Sequence, residues 1–235
     1  MDVSDKPQAP LELTRENILS GMIRRAVAGL GDVVMLSDEE LAASLDHVLA
    51  THPAGAGDGD IWVFGYGSLI WNPAFTHVET QRGRIHGWHR RFCLWTPTSR
   101  GTPEKPGLTL GLDRGGSCQG VAFRTEAMDA RHELAIIWRR EMMSGAYRPR
   151  WVAAHLEDGR KVPAIAFTIN HAHPRYTGPL DDEKAAEVIA GACGWLGPCS
   201  DYVFKTAEAL AALGIRDRAF ETLKERVRLL QAATA

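Results

Sequence analysis

Two features of this sequence carry residue types that could do chemistry. The first is the stretch Phe64-Gly65-Tyr66-Gly67-Ser68-Leu69-Ile70. It follows the apolar run Ile61-Trp62-Val63, which the pattern predicts as a buried strand. Glycines at a strand's end let the chain turn sharply and leave main-chain N–H groups open to a second molecule. A row of amide donors suits an anionic or carbonyl-bearing ligand. A tight hairpin turn would account for the same glycines, and the motif alone leaves both readings open.

The second feature is a carboxylate. A helix is predicted from about Asp129 to Met143. Wound at about 100° per residue, it gathers Ala130, Leu134, Ile137, Trp138 and Glu141 on one stripe, whereas Glu133, Arg139 and Arg140 fall elsewhere. An ionised carboxylate facing a core is costly unless paired, and desolvation raises its pKa. A raised carboxylate is what a proton shuttle near neutral pH requires. Two structural alternatives stand beside this: an ion pair with Arg91, Arg148 or Arg150, or a solvated position in the last helical turn.

The elements that would position these groups fall into two parts, a helical N-terminal extension with linker at 1–60 and a barrel domain with C-terminal helices at 61–235. Within the extension, Ser37 and Glu40 form a capping box ahead of Leu41, Leu45, Val48 and Leu49 at helical spacing. Residues 53–60, rich in glycine and alanine, read as a flexible connector. Short strands are expected at 84–88, 91–96, 108–112 and 118–124, and two more at 151–156 and 162–169. From Asp181 onward the pattern is helical, broken at 194–198 and 213–214. Phe220, Leu223, Val227 and Leu230 share a face of the last helix. Many short strands with one inserted helix predict an α+β fold built on a small closed or partly open β-barrel with flanking helices.

Bulk properties exclude several classes. The 235 residues can bury a substantial core. A formal net charge of −2 and the absence of a basic stripe argue against nucleic acid. The polar start Met1-Asp2-Val3-Ser4-Asp5-Lys6 is not a signal core, and no apolar run approaches the roughly 20 residues that cross a bilayer. Cys93, Cys118, Cys193 and Cys199 lack metal-type spacing and suit reduced thiols. The expectation is a soluble cytoplasmic protein of undetermined oligomeric state.

The run Trp62-Val63-Phe64-Gly65-Tyr66-Gly67-Ser68-Leu69-Ile70-Trp71 closely resembles the signature of the ChaC-type γ-glutamylcyclotransferases. Further likenesses follow in order. They are Gly87-Trp88-His89-Arg90 with Phe92, Arg100 to Pro103 with Pro106-Gly107, Arg140-Glu141 with Gly145-Ala146-Tyr147, and His173-Pro174-Arg175-Tyr176. The resemblance spans about residues 60–213. It implies a small barrel with flanking helices, a lyase that converts reduced glutathione to 5-oxoproline and cysteinylglycine, and no metal or other cofactor. It also implies Glu141 as the proton acceptor, with Val63, Phe64, Gly65, Tyr66, Gly67, Ser68 and Leu69 as the substrate loop. Tyr147 and Tyr202 are candidate hydroxyl donors to the substrate, and each would also serve as an ordinary half-buried tyrosine. The family pattern has an asparagine three residues before Tyr202; Cys199 stands there instead.

Rival chemistries fit poorly. A serine nucleophile elbow needs glycines two residues either side of Ser68, where Tyr66 and Ile70 stand. Ile70 also replaces the third glycine of a dinucleotide fingerprint. No cysteine or carboxylate nearby in sequence completes a metal set with His171 and His173. A cyclotransferase for other γ-glutamyl amides, and a barrel that binds γ-glutamyl peptides without catalysis, are the remaining alternatives. In the glutathione reading, the segment 100–107 is expected to contact the cysteinylglycine portion.

Overall fold

Alternation along one short strand divides the interior into two cores. The computed structural model describes residues 12–29, 34–53 and 59–233. The elements run α1 (Arg15–Leu19), α2 (Met22–Ala28), α3 (Asp38–Ala50), β1 (Ile61–Gly65), α4 (Ser68–Trp71), β2 (Glu79–Thr96), β3 (Gly107–Thr125), α5 (Ala127–Glu141), β4 (Tyr147–Leu156), β5 (Lys161–Ile169), α6 (Asp182–Gly191), β6 (Cys193–Gly194), β7 (Gly197–Pro198), α7 (Cys199–Ala212) and α8 (Arg218–Ala232). Every residue of β1 is buried. Trp62, Phe64 and Tyr66 join one core, which includes α6, α7 and α8, while Ile61 and Val63 join a second against α5 and α3. A strand covered on both faces reads as an unbroken apolar run rather than an alternating one.

Five strands close a barrel in the order β1-β3-β2-β4-β5. β1 is antiparallel to β3 and parallel to β5. The four short strands expected between residues 84 and 124 are instead two long ones, paired from Glu79↔Arg124 to Thr96↔Gly107. The glycines responsible for the apparent breaks lie at irregularities rather than turns. Gly87, at φ 81°, sits where the register shifts between His86 and Trp88, opposite Gly115 and Gly116. A bulge of this kind bends a strand without ending it.

α5 is covered on two sides. Ala130, Leu134, Ile137 and Trp138 pack toward the barrel and α3, as the stripe predicts. Ile136 packs on Ile18 and Ile23 of α1 and α2. That second contact explains a departure from the helical plot: Glu133, expected away from the core, is buried beside Arg15 of α1. The capping box at Ser37 and Glu40 forms as expected. Leu230 is exposed rather than packed with Phe220, Leu223 and Val227. Residues 1–6 and most of the connector (54–58) lie outside the described residues. No described helix is long and apolar enough to cross a membrane.

Candidate active site

Glu141 is the last residue of α5, where the apolar stripe runs out onto a cavity of about 150 Å³. Its carboxylate is 15% exposed, and burial pushes its pKa above the ordinary carboxylate value, a shift that Arg140 opposes. The ion-pair partner is therefore the adjacent Arg140, with Nε 2.9 Å from Oε1. The three arginines expected from sequence are engaged elsewhere: Arg91 with Asp113, Arg148 with Asn170, and Arg150 over the Trp88 ring.

Arg140 is also the connection to the glycine-rich segment. Its Nη2 donates to Ser68 Oγ at 2.8 Å and its Nη1 donates to the Asn72 carbonyl. One guanidinium thus joins α4 to the carboxylate, using the fork geometry that a lysine lacks. Gly67 is the N-cap of α4, and a Cβ there would lie 2.8 Å from Tyr202 Oη. The glycine is needed for that close approach.

Three tyrosines surround the carboxylate. Tyr66 donates to the Phe167 carbonyl at 2.8 Å and Tyr147 to the Leu110 carbonyl at 2.6 Å. Burial raises the pKa of Tyr66, Tyr147 and Tyr202, and the Glu141 charge adds to the rise in each. All three hydroxyls stay protonated and can act as donors.

The structure joins Ser68 to Glu141 through Arg140 and brings Tyr66, Tyr147 and Tyr202 within reach of the Glu141 charge. Val63 and Phe64 are fully buried strand residues, and Leu69 packs in the core beside α5. Gly65 fills a tight place against Phe123 and Leu69. Of the sequence-derived site residues, Glu141 and Tyr147 border the cavity, while the 63–69 segment is joined to it through the bond from Arg140 to Ser68.

Other lining residues carried no sequence signal. Thr96, Thr98 and Ser99 border the cavity, immediately ahead of the 100–107 segment. Arg100 is buried and donates to the Leu196 and Pro198 carbonyls, which ties that loop to the β6–β7 hairpin. Cys199 exchanges two bonds with Leu108: its Sγ accepts from the amide at 3.3 Å and donates to the carbonyl at 3.2 Å. The thiol therefore supplies both a donor and an acceptor at this position. Among the described residues no three His, Cys, Asp or Glu form a metal-holding group. His171 instead pairs with Asp113, and His173 with the Ser144 carbonyl.

Part of the wall comes from the N-terminal helices and the residues that flank them. Leu13, Ile23, Val27 and Met35 border the cavity. They are held by Arg15, whose Nη2 donates to Glu133 Oε1 at 2.6 Å, and by Asn72, whose side chain donates to the Leu13 carbonyl. Thr76 N–H donates to the other Glu133 oxygen. Arg15→Met is expected to destabilise the fold by about 1–2 kcal/mol, since Arg15 is partly exposed and Glu133 keeps one donor. Arg15 holds the Glu133 pKa below its ordinary value, so the pair's contribution is complete above about pH 4.5 and fades as pH falls through the lower folded value. Thermal unfolding of wild type and variant should therefore converge in acid. An undiminished gap there would exclude the ion pair as its cause.

Comparison with known proteins identifies the fold and the family. The fold matches a yeast crystal structure of a glutathione-specific γ-glutamylcyclotransferase with a TM-score of 0.66, at 24% identity over 72% of this chain and 96% of that one. This is the γ-glutamylcyclotransferase type of fold. A family model described as ChaC-like protein matches residues 61–230. A glutathione-specific γ-glutamylcyclotransferase of Escherichia coli is 38% identical over 94% of both chains, and a mouse relative of that activity is 32% identical over 67% of this chain. The chain belongs to the ChaC-like family.

Proposed function

We propose that this protein is a γ-glutamylcyclotransferase that cleaves glutathione to 5-oxoproline and cysteinylglycine. The observation that carries the reading is Glu141, a carboxylate with a raised pKa on a cavity wall. The activity of the relatives supports the choice of substrate.

The γ-glutamyl unit holds its own nucleophile. Its α-nitrogen attacks its γ-carbonyl carbon and closes a five-membered ring, and the bond from that carbon to the cysteine nitrogen breaks. Glu141 takes a proton from the attacking nitrogen and returns one to the departing nitrogen, so the carboxylate ends as it began. Fixing amine and carbonyl in attack geometry supplies several kcal/mol, because effective molarities reach on the order of 10⁵ M. Tyr202 donates a hydrogen bond to the substrate, and Tyr147, whose single O–H goes to the Leu110 carbonyl, offers the substrate its oxygen as an acceptor. The backbone amides at 66–69, which include the first turn of α4, offer donors for the oxyanion or the α-carboxylate.

Incubation with reduced glutathione should release 5-oxoproline and cysteinylglycine in equal amounts. γ-Glutamyl-alanine should be a poorer substrate. Equal or better turnover of γ-glutamyl-alanine would move the assignment to a broader cyclotransferase, and no 5-oxoproline from either compound would remove it.

A further inference from the structure

Two cations border the cavity, Arg140 and Arg175. Arg140 is committed to Glu141, Ser68 and Asn72. Arg175 has no carboxylate at salt-bridge distance among the described residues, and its guanidinium donates to a single neutral group, Ser144 Oγ. Its backbone is fixed, because its carbonyl accepts from Trp95 N–H at 2.9 Å, at the end of β2. Desolvation pulls the Arg175 pKa below its ordinary value, which means that this cation is held out of water without full compensation. A second polar group on the same cavity is also unsatisfied. Trp195 Nε1, at the turn of the β6–β7 hairpin, is buried without an acceptor among the described residues. Buried donors of this kind are ordinarily bonded, and an unpaired one costs about 1–3 kcal/mol.

The two cations are anchored on different elements, Arg140 in the last turn of α5 and Arg175 beside the end of β2. Proton transfer to Glu141 requires the γ-glutamyl amine on the Arg140 side. The remainder of a γ-glutamyl peptide then has the rest of the lining available to it, which includes Thr96, Ser99, Ser144, Arg175 and Trp195. We propose that Arg175 receives the free C-terminal carboxylate of the peptide substrate, and that Trp195 Nε1 donates to a carbonyl of the same leaving dipeptide. This rests on the cyclotransferase reading and gives it a specificity rule: a γ-glutamyl peptide is a good substrate only if its far end is an unblocked acid. A guanidinium fork suits a carboxylate, and such charge-assisted bonds are the stronger class.

The test pairs two substrates with two variants. The substrates are glutathione and its glycyl monoethyl ester, and the variants are Arg175→Gln and Arg175→Lys. Arg175→Gln should raise the KM for glutathione on the order of 10–100-fold, with kcat changed less than about twofold. The KM for the ester should be alike in wild type and Arg175→Gln, and Arg175→Lys should recover part of the loss. Equal losses on both substrates would overturn the proposal, because Arg175 would then serve the γ-glutamyl end or the fold alone. An unchanged KM for glutathione would also overturn it. Calorimetry with cysteinylglycine and cysteinylglycinamide gives a readout that needs no turnover. Tighter binding of the free acid by wild type, lost in Arg175→Gln, supports the site even if glutathione is not cleaved. Equal binding of acid and amide by wild type overturns it.

Discussion

Glu141→Gln is expected to leave a folded protein whose release of 5-oxoproline from glutathione falls by about 10²–10⁴-fold. Glutamine keeps an oxygen that can accept from Arg140 Nε, so the contact seen at 2.9 Å has a neutral substitute and the link to Ser68 survives. What disappears is a group able to accept a proton. The pH profile provides a second check. Burial lifts the Glu141 pKa above 4.5, and the base form is needed, so the acidic limb of kcat/KM should lie above the ordinary carboxylate range. The same shift has a stability consequence of opposite sign to that of Glu133. A carboxylate whose pKa is raised on folding favours the folded state most below its unfolded pKa, and that contribution is lost as pH rises through the folded value. Glu141→Gln should remove this pH dependence while Glu133 keeps its own. Near-normal turnover by the variant would show that another group moves the proton.

Arg140→Met is expected to lower kcat/KM on the order of 10–100-fold and to move its acidic limb to higher pH. Arg140 is the cation that holds the Glu141 pKa down against burial, so its loss lets desolvation act unopposed. Ser68 Oγ and the Asn72 carbonyl lose their donor at the same time, and the start of α4 is no longer tied to α5. Arg140→Lys separates the two effects. A lysine retains the charge and should restore much of the pH limb, but it cannot span Glu141, Ser68 and Asn72 together and should not restore full activity. An unmoved acidic limb in Arg140→Met would mean that the titrating group is not the carboxylate beside it.

What could be read from the sequence follows the range of the forces involved. β1, α5 and the capped α3 are visible because their apolar periods and caps are local. Glu141 could be found by its place on a helical stripe. Its partner could not, since the plot separates Arg140 from the stripe, whereas the end of the helix lets neighbouring side chains converge on one cavity. The sequence divides β2 and β3 because a glycine inside a bulge looks the same there as a glycine in a turn. α1 and α2 have five and seven residues, too short to be stable alone, and exist through contacts with Ile136 and Glu133. Arg175 lay in a recognised motif without an evident role, because a cation that lacks a counter-ion is a property of its surroundings.

Leu13, Ile23 and Val27 line the cavity together with Trp195, which packs in the same apolar cluster as Ile23 and Leu13. These residues are far apart in the sequence, so the enclosure depends on contacts between segments that leave the ribosome far apart in time. The N-terminal helices are synthesised first, yet must wait for α5 and then for the β6–β7 hairpin before they have anything to cover. Such long-range closure comes late in folding. A nascent chain that has completed its barrel strands would therefore still have an open site, and catalytic competence would arise only after the β6–β7 hairpin has followed.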